Sequence, residues 1–500
     1  MIAAKKPIYQ NNRRIDITAY MGPRRAGKRD FNGAYGENPR DPKEGYPSFI
    51  CDDVFTLYKE AGMNFLMPEA DAFYGQIITE IGYQPEENFE KSDLYTYMKL
   101  AEKHDLVVYP TVEELFGPMT HRDGPFGDAE KRIIREFVGT VQKHCPNSFE
   151  GIMLTDEPGY ASLGRVKKIV EYLRSDEIRR IKSDLKFFAS MLPMYAPLGS
   201  YSQKYDTNEY QEQFRFDDER VQVYQDYVER CENAIGEFCF DYYALGRDGW
   251  LSPAFYQNLE IAAEHGRDGQ YTTGVTLLSN RMDTSYNPKT GRGRNVYRIP
   301  SYEDIRFQVY SALAFGMQRI GYYTFWQQYH ESTGEVYPKA MINYEPSEEK
   351  GFRATEIYYA VKEVNEEILA IDHIFLRYTW QGCKVVRTSR EKNIRLVKGG
   401  YEGGCITDVK ATRDLLIGCF THEEDQTEGY WIVNAQNPYR YEMNDVELCM
   451  EGAERLLYYR KGKEYDVPLQ EGQFRVRLGV GEGIFVIPYG TEHKSKRENE

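Results

Sequence analysis

Histidine is scarce in this 500-residue chain: there are eight, dispersed, with no His-x-x-x-His pair or similar cluster. Metal-assisted hydrolysis draws its ligands from such clusters, so neither a metal nor a cofactor is expected. The eight cysteines (Cys51, Cys145, Cys231, Cys239, Cys383, Cys405, Cys419 and Cys449) form no Cys-x-x-Cys pair and keep no regular spacing. Neither a zinc site nor a disulfide framework is indicated, and reduced thiols are the simpler reading. Long apolar runs are missing too. Nothing approaches the roughly 18 residues of a membrane span, and the opening Met-Ile-Ala-Ala-Lys-Lys has no apolar signal core. The chain reads as soluble and cytoplasmic, or secreted if a leader is removed. Positive charge is in deficit: 63 Lys and Arg stand against 78 Asp and Glu, a net charge of -15. That balance argues against nucleic-acid and anionic-membrane partners and leaves a ligand that is neutral or only locally charged. No glycine fingerprint accompanies any predicted strand, which disfavours an open dinucleotide-binding sheet. Gly22 to Lys28 has phosphate-loop spacing, but Arg29 stands where Ser or Thr would ligate magnesium and no helical pattern comes directly after it, so the match is a coincidence.

What is present is a strand-helix alternation. Predicted strands over Arg14–Gly22, Met63–Glu69, Leu106–Val112, Glu150–Thr155, Leu185–Leu192, Phe238–Leu245, Tyr271–Leu278 and Arg319–Phe325 are interleaved with helical periodicity over Ser48–Ala61, Ser92–His104, Asp128–His144, Leu163–Leu173, Asp217–Ile235, Pro253–His265, Tyr302–Phe315 and Ala354–Leu369. Helix-to-strand connections are brief. Several strand-to-helix connections run to roughly twenty residues, far above the usual median of about 4 to 6. Elaboration on one rim only is the mark of a closed parallel barrel, whose C-terminal rim carries binding and catalysis. Beyond Ile371 the helical pattern gives way to short strand-like runs separated by turn residues, among them Cys383–Arg387, Asn393–Val397 and Leu415–Phe420. The expected fold class is therefore α/β: a (β/α)₈ TIM barrel over residues 1–375, a small C-terminal antiparallel β-sandwich over 376–490, and a charged tail over 491–500.

The stretch around which the barrel is organised is Gly151-Ile152-Met153-Leu154-Thr155-Asp156-Glu157-Pro158. An apolar run delivers two adjacent carboxylates and stops at a proline. Packing alone does not ask for this, because each carboxyl must shift its pKa, find a partner or stay wet. The bland reading is an N-cap beside a solvated loop charge. Other strand ends add Glu69 and Asp71, Glu113 and Glu114, Asp241 with Tyr242 and Tyr243, and Trp326 with Gln327 and Gln328. Carboxylates from four strands, with flat rings among them, suit cleavage of a neutral sugar, since acid-base groups must flank a bond and rings must hold sugar faces. For Glu69, Asp71 and Glu114 a rim salt bridge or helix cap is the plainer reading. Each of the 42 tyrosines, taken singly, is structural.

Several motifs then carry a likeness. Lys59-Glu60-Ala61-Gly62-Met63-Asn64, the strand-four ending Thr155-Asp156-Glu157-Pro158, the aromatic strand-eight Gly321-Tyr322-Tyr323-Thr324-Phe325-Trp326 and a last helix leading into a sandwich resemble the clan A barrel glycoside hydrolases. In that clan a strand-four Asn-Glu supplies the acid/base, so the resemblance implies Glu157 as proton donor, with Asp156 in place of the Asn. The clan's strand-seven nucleophile has no counterpart in Tyr271 to Asn280, where the nearest acid is Asp283. Consecutive Asp-Glu after strand four is instead similar to glycoside hydrolase families 20 and 123, in which the substrate's 2-acetamido oxygen attacks the anomeric carbon. The likeness implies Asp156 orienting the acetamido nitrogen, Glu157 protonating the leaving oxygen, and Tyr242, Tyr243 or Tyr323 holding the acetamido oxygen. Asp241, Tyr243, Glu113, Tyr323, Trp326 and Gln327 are then the expected substrate contacts. Two adjacent carboxyls in a pocket should push one pKa up, with Glu157 the expected protonated partner. The expected activity is an exo-acting β-N-acetylhexosaminidase. Open alternatives are a two-carboxylate β-glycosidase with Asp241 or Glu113 as second acid, and a barrel that only binds carbohydrate. Substrate sugar and oligomeric state are left open.

Overall fold

The predicted strands are apolar on both sides, so each needs a core on one face and a helix on the other. A computed structural model describes residues 2, 13–20, 22–23, 49–67, 78–79, 82–83, 86–110, 126–205, 216–280, 286–287, 292–293, 297–326, 339–344 and 348–490. Its parallel strands are β1 (Asp16–Ala19), β2 (Phe65–Leu66), β3 (Val107–Val108), β4 (Gly151–Asp156), β5 (Lys186–Met191), β6 (Glu237–Tyr242), β7 (Thr272–Leu278) and β8 (Arg319–Tyr323). The helices that come after them in turn are α1 (Asp52–Glu60), α2 (Asp93–Lys103), α3 (Asp128–His144), α4 (Leu163–Leu173), α5 (Asp218–Ile235), α6 (Phe255–Gly269), α7 (Tyr302–Ala314) and α8 (Glu356–Leu369). Strand-helix alternation is thus as expected. Several helices start where side chains cap them: Ser92 accepts from the Tyr95 N–H, Asp217 from Arg220, and Ser301 and Asp304 cap one another.

Six strands form one curled parallel sheet in the order β1-β8-β7-β6-β5-β4, and β2 pairs with β3. That pair lies between the edges of the larger sheet. The Asn64 N–H donates to Ile17 O at 3.0 Å beside β1, while Glu150 N–H donates to Val108 O at 3.2 Å and Val108 N–H to Ser148 O at 2.7 Å beside β4. Alternation along each strand then makes two cores. In β6, Phe238, Phe240 and Tyr242 join the layer beneath the helices, whereas Cys239 joins Tyr20, Phe65, Met67, Tyr109, Met153 and Phe188 inside the ring of strands. Glu237 and Asp241 share the inward row with Cys239, one at each end of the strand.

The lower end of this interior is closed by Arg319, only 5% exposed. Its guanidinium pairs with Asp16 at 3.0 Å and Glu237 at 3.3 Å and lies over the rings of Phe188 and Phe65 at 4.9 and 5.3 Å. Planar guanidinium suits both contacts at once, ion pair at the edge and aromatic at the face.

From residue 378 the chain is antiparallel. Strands β9 (Tyr378–Val386), β11 (Leu415–His422), β12 (Glu428–Asn434), β14 (Arg455–Arg460), β15 (Lys463–Pro468) and β17 (Gly483–Tyr489) form a six-stranded sheet; β10 (Ile406–Ala411), β13 (Asn444–Met450) and β16 (Gln473–Leu478) form a three-stranded one. Ile417, Ile432 and Val486 of the first meet Val446, Leu448 and Phe474 of the second in a separate core. The outer face of the six-stranded sheet packs on α7, with Tyr310 against Trp431 at 5.5 Å and Arg306 paired with the buried Glu482 at 3.0 Å. The expected strand Asn393–Val397 is instead a helical turn, Lys392–Arg395, because Asn393 and Ile394 tuck into the core while the Leu396 N–H bonds back to Lys392 O. Among the described residues no helix is long and apolar enough to cross a membrane.

Candidate active site

At the upper end of the interior, β4 departs from regular pairing. Met153 lies opposite Phe188 but Thr155 lies opposite Ala189, so one extra residue is accommodated between them. A bulge of this kind re-aims the side chains beyond it. Without it Asp156 would point outward with Ile152 and Leu154; with it Asp156 pairs with Ser190 and joins the inward row of Met153. Tyr20, at the end of β1, donates to Asp156 Oδ1 at 3.4 Å and takes a hydrogen bond from Ser190.

Glu157 comes next, with φ +45°. For a residue with a side chain this left-handed backbone costs about 1 kcal/mol or more and persists only where neighbours impose it. Here its N–H donates to Ser190 O at 2.8 Å, and the next carbonyl, Pro158 O, accepts from Tyr227 Oη at 2.7 Å. The turn brings the Glu157 carboxyl to Asp241 of β6, which donates a hydrogen bond to it. So the two acids that are neighbours in sequence are not the pair that shares a proton; the partner of Glu157 comes from two strands away.

Asp241 is only 8% exposed. Burial first, then the charges of Glu157 and Asp156, push its carboxyl well above the usual carboxylate range. Glu157 is open to solvent on the mouth side but walled by protein on the others, and loss of water on those sides raises its pKa, with the Asp241 hydrogen bond a partial offset. Burial thus favours one proton on the pair, and both carboxyls lie above the usual range. The raised Glu157 is as expected, but its partner is Asp241 rather than Asp156. Asp241 Oδ1 has no hydrogen-bond partner among the described residues. Neither Glu157 nor Asp241 forms an ion pair with Lys or Arg among those residues.

A carboxyl whose pKa is raised by folding binds more protons in the folded state than in the unfolded one between the ordinary value, about 4, and the raised value. Stability must therefore fall as pH rises through that window, by up to about 1.4 kcal/mol per pH unit for one group. Asp241→Asn keeps a donor for Glu157 and removes the titration. Urea midpoints should show the variant more stable than the parent at pH 7.5, with the gap closing toward pH 4.5. A variant less stable at neutral pH would mean that Asp241 is ionised there.

Tyrosines wall the mouth. Tyr323 lies between Tyr20 at 6.2 Å and Tyr243 at 5.3 Å, and Tyr243 meets Tyr297 at 5.8 Å, whose hydroxyl shares a hydrogen bond with that of Tyr195. Burial and the nearby Asp241 raise the pKa of Tyr243 and Tyr195 well above normal, so both keep their protons as donors. Thus Asp156, Glu157, Asp241, Tyr243 and Tyr323 come together. Trp326 does not: it is 0% exposed, packed between Phe49 at 4.4 Å and Phe352 at 5.9 Å, behind the mouth. An exposed sugar platform is the sequence expectation there, but the ring lies past the end of β8, where it fills space between Phe49 and Phe352 instead. Tyr242 faces outward, bonded to Ser252 at 2.8 Å. Glu113, Gln327, Gln328, Glu69, Asp71, Glu114 and Asp283 lie outside the described residues. Tyr20 escapes a reading of the sequence although it ends the first strand; Tyr195 and Tyr297 sit in loops that carry no pattern. Among the described residues no group of His, Cys, Asp or Glu side chains is placed to hold a metal ion.

No protein-family model matches the chain, and no curated protein sequence does. Solved structures do. One described as a glycoside hydrolase is 10% identical, with 98% of this chain and 94% of that one covered and a TM-score of 0.50. An Anoxybacillus alpha-amylase is 12% identical over 96% of this chain and 99% of its own, at TM-score 0.47. A family 51 arabinofuranosidase from Xanthomonas axonopodis pv. citri is 11% identical over 96% and 98%, at 0.43. At such identity the likeness is one of fold.

Proposed function

We propose that the chain is a glycoside hydrolase: a (β/α)₈ barrel over residues 1–375 that cleaves O-glycosidic bonds at the C-terminal ends of its strands, with a sandwich after it over 376–490. The observation that carries the reading is the contact of Glu157 with the buried Asp241 at the mouth, where burial raises both carboxyls and, among the described residues, no Lys or Arg pairs with either. That is the state a general acid needs near pH 7. Glu157, the exposed member, is the proton donor to the leaving oxygen, drawing on the proton the pair retains. A barrel that only binds sugar would have no use for a strained, protonated carboxyl pair.

The finer reading is a β-N-acetylhexosaminidase that works by substrate assistance. A retaining pair of carboxyls stands about 5 to 5.5 Å apart and an inverting pair about 6.5 to 9.5 Å. Glu157 and Asp241 are in hydrogen-bond contact, so no sugar ring fits between them and Asp241 is poorly placed as a nucleophile. Asp156, aimed inward by the bulge and steadied by Tyr20, is suited to hold an acetamido N–H. Tyr243 and Tyr323 offer neutral hydroxyls and ring faces to the same group. A panel of aryl β-glycosides with and without the 2-acetamido group tests this. N-acetylhexosaminides should be turned over, a thiazoline mimic of the cyclised intermediate should inhibit strongly, and 2-hydroxy sugars should be nearly inert. Efficient hydrolysis of a plain β-galactoside would rule substrate assistance out.

A further inference from the structure

The exposed large apolar side chains of the described surface are Trp250, Tyr359, Tyr439, Tyr441, Met443 and Tyr465. Four of them belong to two loops that touch. Trp250, 38% exposed, is on the loop that leaves β6 just after Asp241 and Tyr243. Tyr439, Tyr441 and Met443, at 53, 66 and 56%, are on the connection from β12 to β13 of the sandwich. The loops are fitted closely. A Cβ on Gly249, at φ +78°, would lie 2.3 Å from the Tyr439 ring, and one on Gly246 would lie 2.2 Å from the Trp250 indole. Asn437 donates to Gly249 O at 2.7 Å. Only glycine permits that approach, so the rings are held in place in advance.

These loops are tied to the mouth through packed side chains. Tyr297, whose ring meets Tyr243, is bridged to Gly246; the next residue, Arg298, donates to Gly246 O at 3.0 Å and lies over the Tyr439 ring at 5.5 Å. Its charge is matched by Asp304 at 2.6 Å, and Arg440 beside Tyr439 is paired with Glu391. The rings are thus flanked by compensated charge, which suits neither an anionic nor a cationic partner.

We propose that Trp250, Tyr439 and Tyr441 form a platform for the distal residues of a neutral β-linked oligosaccharide whose terminal sugar occupies the mouth. β-Linked equatorial sugars present flat C–H faces with hydroxyls at the edge, the counterpart of exposed Trp and Tyr rings. The sandwich then supplies part of the substrate cleft rather than only a buttress. The proposal rests on the glycoside hydrolase reading, but its test does not depend on turnover.

Of the four tryptophans, Trp326, Trp380 and Trp431 are buried and Trp250 alone is substantially exposed, so collisional quenching by acrylamide reports on Trp250. Millimolar chitotetraose, and separately cellotetraose, should be titrated into the full chain carrying Glu157→Gln. Protection of the emission by a tetrasaccharide but not by N-acetylglucosamine is expected, with the midpoint raised about tenfold by Tyr441→Asn and left at the parent value by Tyr441→Phe, which keeps the ring. No protection by either tetrasaccharide overturns the platform, whatever the glycoside panel gives. Protection equally strong with the monosaccharide, or unaffected by Tyr441→Asn, overturns it as well. Protection in a protein that hydrolyses none of the aryl glycosides upholds the platform and sinks the hydrolase.

Discussion

Glu157→Gln is expected to leave the fold intact and to lower kcat by about 10²- to 10⁴-fold on substrates with poor leaving groups. The fold should survive because Glu157 makes no ion pair with Lys or Arg among the described residues, and glutamine tolerates the left-handed backbone no worse than glutamate. The Ser190 and Tyr227 hydrogen bonds that impose the turn are to main-chain atoms and do not involve the side chain. What the amide loses is the ability to hold and release the proton shared with Asp241. Substrates with good leaving groups need less protonation, so the deficit should shrink across a series of aryl glycosides of falling leaving-group pKa. Equal loss on every substrate would assign Glu157 to binding, and unchanged turnover with an unshifted Tm would remove it from the mechanism.

Arg319→Met is expected to cost about 3–5 kcal/mol of stability at pH 7. Methionine fills the space among Phe65, Tyr109 and Phe188 well enough, so little of that loss is cavity. Most of it comes from Glu237, whose buried carboxylate is left without its cation. Burial already raises the Glu237 pKa and Arg319 lowers it; with the arginine gone it must rise further. The folded variant then binds more protons than the unfolded chain, so its stability improves as pH falls and the deficit should narrow toward pH 5. Arg319→Met combined with Glu237→Gln should recover a large part of the loss, because Asp16 is half exposed and stays hydrated. Urea denaturation of the three variants at two pH values checks this. An additive double mutant would mean that Arg319 acts through its aromatic contacts alone.

Arg319 sits on the inward row of the strands and Glu157 just past the end of β4, and that row is only partly legible in the sequence. Strand-helix alternation is written in local periodicity, and the long strand-to-helix loops mark the working rim, so the layout up to α8 can be read directly. The ends of β4, β6 and β8 can also be named, since an apolar run that stops at charged or aromatic residues needs no partner to be noticed. Asn393–Val397 reads as a strand and is a turn, because a run of five residues is too short for its period to be read, and the side chains it buries are the adjacent Asn393 and Ile394 with Val397 one turn on.

Asp156 and Glu157 announce themselves in one dimension, and the chain alone suffices to place two carboxyls at the end of the fourth strand. Which acid Glu157 answers to is decided in three dimensions. The extra residue in β4 turns Asp156 inward, the left-handed turn carries Glu157 across to Asp241, and Trp326 is drawn into the core behind the mouth. Local pattern records what each residue wants to bury. Proton sharing depends on which oxygens end up in contact and how much water is left around them, and those are properties of strands far apart in the chain.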